Sequence, residues 1–462
     1  MGSPLNLRTM RSRSGRARPG LLRHPHDREI LRLAVPAFLA LIAEPLFLLT
    51  DSAIVGHLGT AALAGLGIAS TALVTAAGVF VFLAYATTSI VARHLGAGDE
   101  RAALAAGIDG LWLSLLLGAS TAVGVALAAA RITGLFGASP AATEQATTYL
   151  RVSALGIPAM LAILAVTGVL RGLQDTRTPL LASLGGFGGN IALNLLLVYG
   201  LGWGIAGSAW GTVLAQSAMA ATLVTVLVRR SARAGTRLAP HPGRIVRAAR
   251  SGIPLLVRTL ALRATLLVTT WVAASLGDVP LAAHQVAMTV WSFLAFALAA
   301  LAIAAQALVG KALGGGDRAA VRAAMVTMVR WGTVGGLAVG LLVAALHSVL
   351  PPLFTSDPAV REALGAALVV VGLGQPLSGY VFVLDGVLIG AGDGRWLAGA
   401  SVAVLTAYLP VVLAVGGLGV GRTDTTRVLL LWAAFSAFMA LRAAAIGWRA
   451  RRDEWMVVGA RR

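Results

Sequence analysis

Apolar residues fill this chain in long runs, separated by short stretches rich in Gly, Pro and charged residues. A helix needs about 20 mostly apolar residues to cross the ~30 Å hydrocarbon core of a bilayer, and these runs are long enough. Breaks at Gly, Pro and charge clusters divide them into twelve predicted spans. The spans are 33–55, 61–88, 105–130, 150–170, 179–199 and 205–228, followed by 251–275, 281–306, 323–350, 363–390, 396–416 and 427–448.

The composition supports this pattern and excludes other classes of protein. Of the 462 residues, 58% are apolar and 12% are charged, whereas soluble domains carry about 25% charged residues. The formal net charge is +19, but the basic residues are scattered between apolar runs instead of forming the basic surface that nucleic acid requires. The chain has no Cys, and no His pair has metal-ligand spacing. We therefore predict an all-α polytopic membrane protein with no metal site.

The distribution of Lys and Arg predicts the topology. Most of them fall in the N-terminal tail, the C-terminal tail and the loops on the same side as these tails. Such loops face the cytoplasm in most membrane proteins. We therefore expect both termini to be cytoplasmic, which requires an even number of spans.

The two halves of the sequence repeat each other at a fixed offset of 218 residues. Pro36 aligns with Pro254, HLGAGDERAALAA from His94 aligns with ALGGGDRAAVRAA from Ala312, and GVLRGLQDTR from Gly168 aligns with GVLIGAGDGR from Gly386. Matches of Pro, Asp and Arg at one offset indicate a duplication. The matching basic loops lie on one side, so the sequence predicts two parallel six-helix lobes related by a pseudo-twofold axis along the membrane normal.

This organisation gives five predicted segments. They are a basic cytoplasmic N-terminal tail (1–32), an N-lobe (33–228), a basic cytoplasmic linker with seven arginines (229–250), a C-lobe (251–448) and a cytoplasmic C-terminal tail (449–462).

A few polar residues fall within predicted spans, where charge is costly and often functional. Asp51 lies on helix 1, about one turn from its outer end. Asn190 and Asn194 share a face of helix 5 at spacing i, i+4, and Thr212 lies on helix 6. Together these four residues predict a chamber that accepts a proton or a small hard cation, since burial disfavours an ionised carboxyl group. The alternative is a structural hydrogen-bonded cluster that braces the helices.

Other intramembrane polar residues are candidates for substrate contact or gating. Glu44 lies near the middle of helix 1, and its position repeats between Arg258 and Arg263 on helix 7. An ion pair between the lobes is therefore an option if helices 1 and 7 meet. Asp385 on helix 10 aligns with Thr167 in the N-lobe, so the two lobes carry different polar side chains at corresponding positions.

Several stretches resemble the MATE family of multidrug and toxic compound extrusion transporters, in particular its DinF-like branch. They are LAVP and TDSAIVGHLG of helix 1, HLGAGDERAA after helix 2, GVLRGLQDTRTP after helix 4 and NIALNLLLVYGLGWGIAGSAWGT across helices 5 and 6. The resemblance covers almost the whole chain. It implies two lobes in a V that alternate between outward-open and inward-open states and export organic cations or other amphiphiles against H⁺ or Na⁺.

The resemblance also implies roles for particular residues. Pro36 matches a proline thought to let helix 1 bend, with Pro254 as its counterpart in the C-lobe. Asp51 matches an acidic residue of the N-lobe cavity, and its polar neighbours Asn190, Thr212 and Tyr149 match the family pattern. Many relatives have Asp where this chain has Asn194, and some have Asn where it has Thr167. A site with a single carboxylate favours one proton per cycle through Asp51 over a tight Na⁺ site.

The resulting prediction is a cation-coupled antiporter, not an enzyme, that needs no cofactor. We expect a small-molecule substrate, contact with membrane lipid, no nucleic acid partner, a monomer and a multi-pass location in a bacterial plasma membrane. The alternative is a flippase or exporter of a lipid-linked or metabolite substrate from the same superfamily, which would be expected to carry two extra helices and a strongly cationic cavity.

A sugar or drug porter of the major-facilitator type would carry a G-x-x-x-D-R loop, which HLGAGDERAA is not. An intramembrane enzyme would carry HExxH or GxSxG, and both are absent from the sequence.

Overall fold

The computed structural model describes residues 25–419 and 421–460. This part of the chain is helical and contains no strand. Its α-helices are α1 Pro25–Gly56, α2 Thr60–Phe80, α3 Phe82–Gly96, α4 Glu100–Gly134, α5 Pro140–Ala154, α6 Ile157–Gly172, α7 Arg177–Asn194, α8 Gly204–Arg233, α9 Pro242–Leu276, α10 Asp278–Gly314, α11 Arg318–Ala345, α12 Pro351–Phe354, α13 Pro358–Gly390, α14 Gly394–Leu418 and α15 Asp424–Arg451. A π-helical segment, Leu195–Gly200, continues α7.

The described helices match the predicted membrane architecture. Eleven segments are long and apolar enough to cross a bilayer, α2 and α3 counting together as one. The pair α5 and α6, bent by 52° at their junction, forms a twelfth if it is one span. The all-α prediction is confirmed.

Helices extend into segments that the sequence assigned to tails and linkers. Helix α1 begins at Pro25, and residues 1–24 of the predicted N-terminal tail lie outside the described residues. Within the predicted linker, α8 continues to Arg233 and α9 begins at Pro242. Only a short connection between these helices is not helical.

Side-chain caps define the starts of α4 and α11, at the two loops that repeat Gly-Asp at an offset of 218 residues. The carboxylate of Asp99 accepts a hydrogen bond of 2.8 Å from the amide of Ala102, and Asp317 accepts one of 2.8 Å from Ala320. Each bond satisfies one of the free amides of a first turn. Gly98 and Gly316, with φ of 77° and 79°, supply the left-handed residue that both turns need.

The duplication is visible in the packing between helices. A Cβ added at Gly168 would overlap the carbonyl oxygen of Ala84, and one at Gly386 would overlap that of Ala302, each residue being 218 positions from its counterpart. A second set of contacts lies between the lobes. A Cβ at Gly96 would overlap the carbonyl of Lys311, and a Cβ at the repeat counterpart Gly314 would overlap the carbonyl of Arg93, the counterpart of Lys311. Contacts that exchange partners in this way are expected about a pseudo-twofold axis.

The two lobes meet at one end of the molecule. We call this end the basic face, because the α8–α9 connection with its arginines lies there, and we call the other end the opposite face. Along α10, residues 303–310 are all buried, whereas between Gln285 and Ala297 only Ala287 is buried. The C-terminal half of α10, nearer the basic face, packs against α3 of the N-lobe. The lobes are therefore joined at the basic face, and α10 becomes more accessible towards the opposite face.

Candidate functional site in the N-lobe

Asp51 lies in the last turns of α1, near the opposite face, and is 3% exposed. Its Oδ1 accepts hydrogen bonds from Ser208 Oγ at 2.6 Å and from Asn194 Nδ2 at 2.8 Å. The hydroxyl of Tyr149 donates to Oδ2 at 3.2 Å. These three donors come from α8, α7 and α5, so one carboxyl group ties α1 to three other helices of the N-lobe.

Two carboxamides extend the cluster along α7. Asn194 Nδ2 also donates to Asn190 Oδ1 at 3.1 Å, and Asn190 Nδ2 donates to Thr212 Oγ1 at 3.2 Å. We call this chain of contacts around Asp51 the Asp51 network; its members are Asp51, Tyr149, Asn190, Asn194, Ser208 and Thr212. The structure thus brings together the four residues of the predicted chamber and adds two more.

Ser208 was missed by the sequence analysis, although it makes the shortest hydrogen bond to Asp51. It is fully buried and lies four residues before Thr212, on the same face of α8. This i, i+4 spacing is the signal that could have identified it. A serine among so many small residues in α8 does not stand out by composition.

The backbone next to Asn194 is irregular. The π-helical segment begins at Leu195, directly after Asn194, and such segments are often found at functional sites. Gly211 of α8 lies against Asn194, where an added Cβ would overlap Asn194 Oδ1. Tyr199, within the segment, donates a 2.6 Å hydrogen bond to the carbonyl of Ile54 on α1.

The electrostatic environment of Asp51 is neutral. Its partners are two hydroxyls and one carboxamide, and none of the ion pairs between described residues includes it. Burial without a cation disfavours an ionised carboxylate. The hydroxyls of Ser208 and Tyr149 can each donate or accept, so they can serve both the ionised and the protonated carboxyl group. The arrangement can therefore bind and release a proton.

The C-lobe carries a different polar cluster. Arg258 of α9 and Arg442 of α15 both donate through Nη2 to Oδ2 of Asp385 on α13, the second at 2.6 Å. All three side chains are about one tenth exposed or less. We call this the Arg258–Asp385–Arg442 cluster. It carries two positive charges and one negative charge inside the membrane-spanning part of the chain.

The sequence left open an ion pair from Glu44 to Arg258 or Arg263 if the helices that carry them meet. The acidic partner of Arg258 is Asp385 of its own lobe, and α1 packs mainly against α10 and α7 instead of α9. Arg263 is exposed, and its guanidinium lies against Gly78 of α2. The side chain of Glu44 lies outside the described residues.

The remaining candidates do not form one site. Thr167 is half-buried on α6, away from the hydrogen bonds of the Asp51 network. Pro36 and Pro254 lie inside α1 and α9, which run through them as unbroken helices. A proline cannot bond the carbonyl four residues earlier, and near Pro36 the hydroxyl of Thr176 lies 3.5 Å from the carbonyl of Arg32, to which it donates. The Asp51 network is thus the main polar site of the N-lobe.

At the basic face, the C-terminal segment is held between the lobes. Arg93 of α3 is 3% exposed and donates to three backbone carbonyls, those of Ala391 at 2.9 Å, Val457 at 2.5 Å and Gly459 at 3.2 Å. The amide of Gly459 donates to Leu313 at the end of α10. An N-lobe arginine therefore holds backbone of both the C-lobe and the C-terminal tail where the lobes meet.

Comparison with known proteins agrees with this architecture. Protein DETOXIFICATION 44, chloroplastic, of Arabidopsis thaliana is 30% identical over 447 residues, which covers 93% of this chain and 84% of that protein. DNA damage-inducible protein F of Escherichia coli strain K12 is 28% identical over 443 residues, or 92% of each chain. The outward-facing structure of a multidrug resistance MATE family transporter aligns with a TM-score of 0.80 at 22% identity, covering 93% of this chain and 97% of the other.

The family match repeats within the chain, as the duplication requires. The sequence model of the MatE family matches residues 36–196 and, separately, residues 254–415. The two matches begin 218 residues apart, at Pro36 and at Pro254. Together they cover more than half of the chain, and the protein therefore belongs to the MatE family, whose members are transporters of multiple drugs and toxic compounds and not enzymes.

Proposed function

We propose that this chain is a secondary active exporter in which protonation of Asp51 drives the efflux of amphiphilic or cationic organic compounds. The observation that carries the proposal is a single carboxyl group, 3% exposed in a membrane-spanning helix, surrounded by neutral hydrogen-bond donors. Structural charges inside membranes are usually paired with an opposite charge. Asp51 has no such partner among the described residues, which is what a proton carrier needs.

The geometry suggests how a proton would change the N-lobe. An ionised carboxylate accepts from Ser208, Tyr149 and Asn194 together, but a protonated one becomes a donor and needs an acceptor. The hydroxyl of Tyr149 can rotate to accept the new proton, while Oδ1 still accepts from Asn194 but without the negative charge that strengthened this bond. Protonation therefore weakens the contact between α1 and α7. Helix α1 is then freer to bend at Pro36, and this movement would reduce the space available to substrate.

H⁺ fits the Asp51 network better than Na⁺ does. Hard metal cations are bound by several oxygen ligands at once. Oδ1 of Asp51 already accepts two hydrogen bonds, and Asn190 Oδ1 accepts one from Asn194. A cation would have to displace these donors, while a proton needs only a change of hydroxyl orientation. We therefore favour H⁺ as the coupling ion.

The charge distribution supports an orientation for the cycle. If the basic face is cytoplasmic, as the positive-inside rule favours, Asp51 lies near the outer end of α1 in a plasma membrane. The lobes pack together at the basic face, and a proton would then reach Asp51 from outside in this state. We propose that the protein works as a monomer without a cofactor.

The test is transport of dyes into inverted vesicles, which corresponds to efflux from the cell, under separately imposed pH and Na⁺ gradients and with a panel of cationic, neutral and anionic dyes. Asp51→Asn is expected to abolish pH-driven efflux of the transported dyes while the protein is expressed and folded as before. Asp278→Asn is the matched control, because Asp278 is an exposed carboxylate at the same face, at the start of α10. Efflux retained by Asp51→Asn, or driven by Na⁺ alone, would overturn the coupling role.

A further inference from the structure

A groove on the C-lobe lies apart from the Asp51 network, which belongs to the N-lobe. It is a cavity of about 740 Å³ between α14 and α15, lined along most of its length by small side chains such as Ala403, Ala407 and Ala445. Arg395, Trp396 and Trp448 line its end at the basic face. We call it the α14–α15 groove.

The polarity of the groove changes along its length. Arg395 is exposed at its basic end, and the guanidinium carbon of Arg452 lies 4.1 Å from the centre of the Trp448 ring. Arg452 also lies 3.6 Å from Glu454, in an ion pair whose side chains are at least half exposed and can therefore be reached by a headgroup. Trp396 and Trp448 are stacked, with ring centroids 6.4 Å apart. Beyond the tryptophans the lining is apolar. A ligand that matches this pattern has an anionic head and a long apolar tail.

The length of the groove fits one leaflet of a bilayer. Ala407 lies eleven positions after Trp396 on α14, so the lining between them spans about 16 Å at a rise of 1.5 Å per residue. Half of the hydrocarbon core is about 15 Å thick. Tryptophans prefer the level of the lipid headgroups, so the groove would extend from that level to about the middle of the membrane. An acyl chain lying along the helices has these dimensions.

The repeat provides an internal comparison, because the corresponding N-lobe positions lack these features. Trp396 corresponds to Thr178, which donates to Asp175, and Trp448 corresponds to Arg230, which forms an ion pair with the same Asp175. Arg395 corresponds to Arg177, which is also exposed. The stacked aromatic pair at the basic end is therefore particular to the C-lobe and does not follow from the shared helix arrangement.

We propose that the α14–α15 groove binds an anionic phospholipid, with its headgroup at Arg395 and Arg452 and one acyl chain along the alanines. Electrostatic attraction to anionic lipid is worth roughly a factor of five in affinity for each basic residue near the membrane surface. Removing both arginines should therefore weaken binding of the anionic lipid by roughly 30-fold and leave binding of a zwitterionic lipid nearly unchanged.

The experiment is native mass spectrometry of the full-length protein titrated with phosphatidylglycerol, phosphatidylcholine or inorganic phosphate. We expect phosphatidylglycerol to be retained preferentially, and Arg395→Ala combined with Arg452→Ala to remove the preference. Arg177→Ala, at the corresponding exposed position of the N-lobe, should keep it. A second variant, Ala403→Phe, fills the groove at an exposed lining residue, and Val402→Phe is its control at an exposed position outside the lining.

Several outcomes would overturn the proposal. These are equal retention of the two lipids, a preference that survives both Ala403→Phe and the double arginine variant, or displacement of the lipid by inorganic phosphate alone. A change from dimer to monomer caused by Ala403→Phe would instead identify the groove as an interface between two copies of the chain. Because the readout is lipid retention, loss of transport in the Asp51 variants does not affect the test.

Discussion

Gly211 of α8 and Asn194 of α7 are in contact where these helices cross, and a Cβ at Gly211 would overlap Asn194 Oδ1. Asn194 in turn donates to Asp51 and to Asn190. The absence of a side chain on one helix therefore determines where the carboxamide of another can lie. Through that carboxamide it also determines one of the three hydrogen bonds to Asp51.

This relationship predicts that Gly211→Ala impairs coupling without touching Asp51 itself. The added methyl group should force Asn194 out of its position and leave Asp51 with two donors. We expect pH-driven efflux to fall at least tenfold and thermal stability in detergent to fall as well, since overpacking costs about 1–3 kcal/mol. Efflux and the unfolding temperature of the purified protein measure the two effects.

Gly189→Ala is the matched control on α7. A Cβ at Gly189 has no neighbour within 4 Å, and alanine favours a helix over glycine by up to about 1 kcal/mol. This variant should be as stable as the native chain or slightly more so, with normal efflux. Equal losses in Gly189→Ala and Gly211→Ala would contradict the proposed role of the contact.

Ser208 makes the shortest bond in the Asp51 network, which predicts a change in the pH profile of transport. Ser208→Ala removes a donor from the ionised carboxylate and so favours the protonated form. A hydrogen bond to a charged group is worth about 1.5–3 kcal/mol, or about one to two pH units. The pH of half-maximal efflux should therefore move upwards. Ser208→Thr keeps the hydroxyl and should largely restore the native profile; an unshifted profile in Ser208→Ala would speak against Asp51 as the titrating group.

The Arg258–Asp385–Arg442 cluster predicts a large effect on stability. Asp385→Asn leaves two buried guanidinium groups without their carboxylate, and breaking a buried ion pair costs about 3–5 kcal/mol. The free energy of unfolding, measured by denaturant titration in detergent, should fall by that amount. Asp453→Asn is the comparison, because its ion pair with Arg322 is more than half exposed and should contribute about 1 kcal/mol or less. Similar losses in the two variants would show that burial is not the deciding factor.

Sequence reasoning predicts the fold and four members of the Asp51 network, but it does not predict the Arg258–Asp385–Arg442 cluster. Particular residues show why. Spans and duplication follow from local apolar runs and from matches such as Pro36 with Pro254. The four predicted members of the Asp51 network follow from depth along helices and from i, i+4 spacing. The pairing of Arg258 with Asp385 does not follow, because the two residues are 127 positions apart and an arginine side chain is long enough to reach several helices.

The contacts between Arg93 and the C-terminal segment also cannot be predicted from the sequence. Arg93 donates to backbone carbonyls, which every residue possesses, so no partner residue type marks the interaction. Gly211 is hidden among 55 glycines, most of which could serve close helix packing. What distinguishes it is its neighbour on another helix, and this is a property of the folded structure alone.

Asp175, in the connection between α6 and α7, predicts a pH-dependent contribution to stability. Desolvation of this carboxyl group acts to raise its pKa, but hydrogen bonds from Thr178 and the ion pair with Arg230 outweigh it, so that the pKa lies below the usual value. A lowered pKa in the folded state means that stabilisation is present at neutral pH, shrinks as the pH falls below about 4 and is lost below the folded-state pKa. Asp175→Asn should therefore be destabilising at pH 7, by about 1 kcal/mol for this partly exposed pair. Thermal unfolding at a series of pH values tests this, and a difference from the native chain that grows towards low pH would contradict the sign.

The three hydrogen bonds from Arg93 predict a shift in the equilibrium between closed and open lobes at the basic face. Because Arg93 joins α3 of the N-lobe to backbone carbonyls of Ala391, Val457 and Gly459, Arg93→Ala should weaken the closure of the lobes at the basic face. The chain has no cysteine, so spin labels can be introduced directly at Arg101 and Ala319, exposed sites at the starts of α4 and α11.

Double electron–electron resonance between these labels should give a longer and broader distance distribution in Arg93→Ala than in the native background. Arg322→Ala is the control, since Arg322 also contacts the C-terminal segment, through Asp453, but on the exposed surface. It should leave the distribution unchanged. If Arg93→Ala left the distances as they are while Arg322→Ala lengthened them, closure of the lobes would depend on the surface ion pair instead of on the hydrogen bonds of buried Arg93.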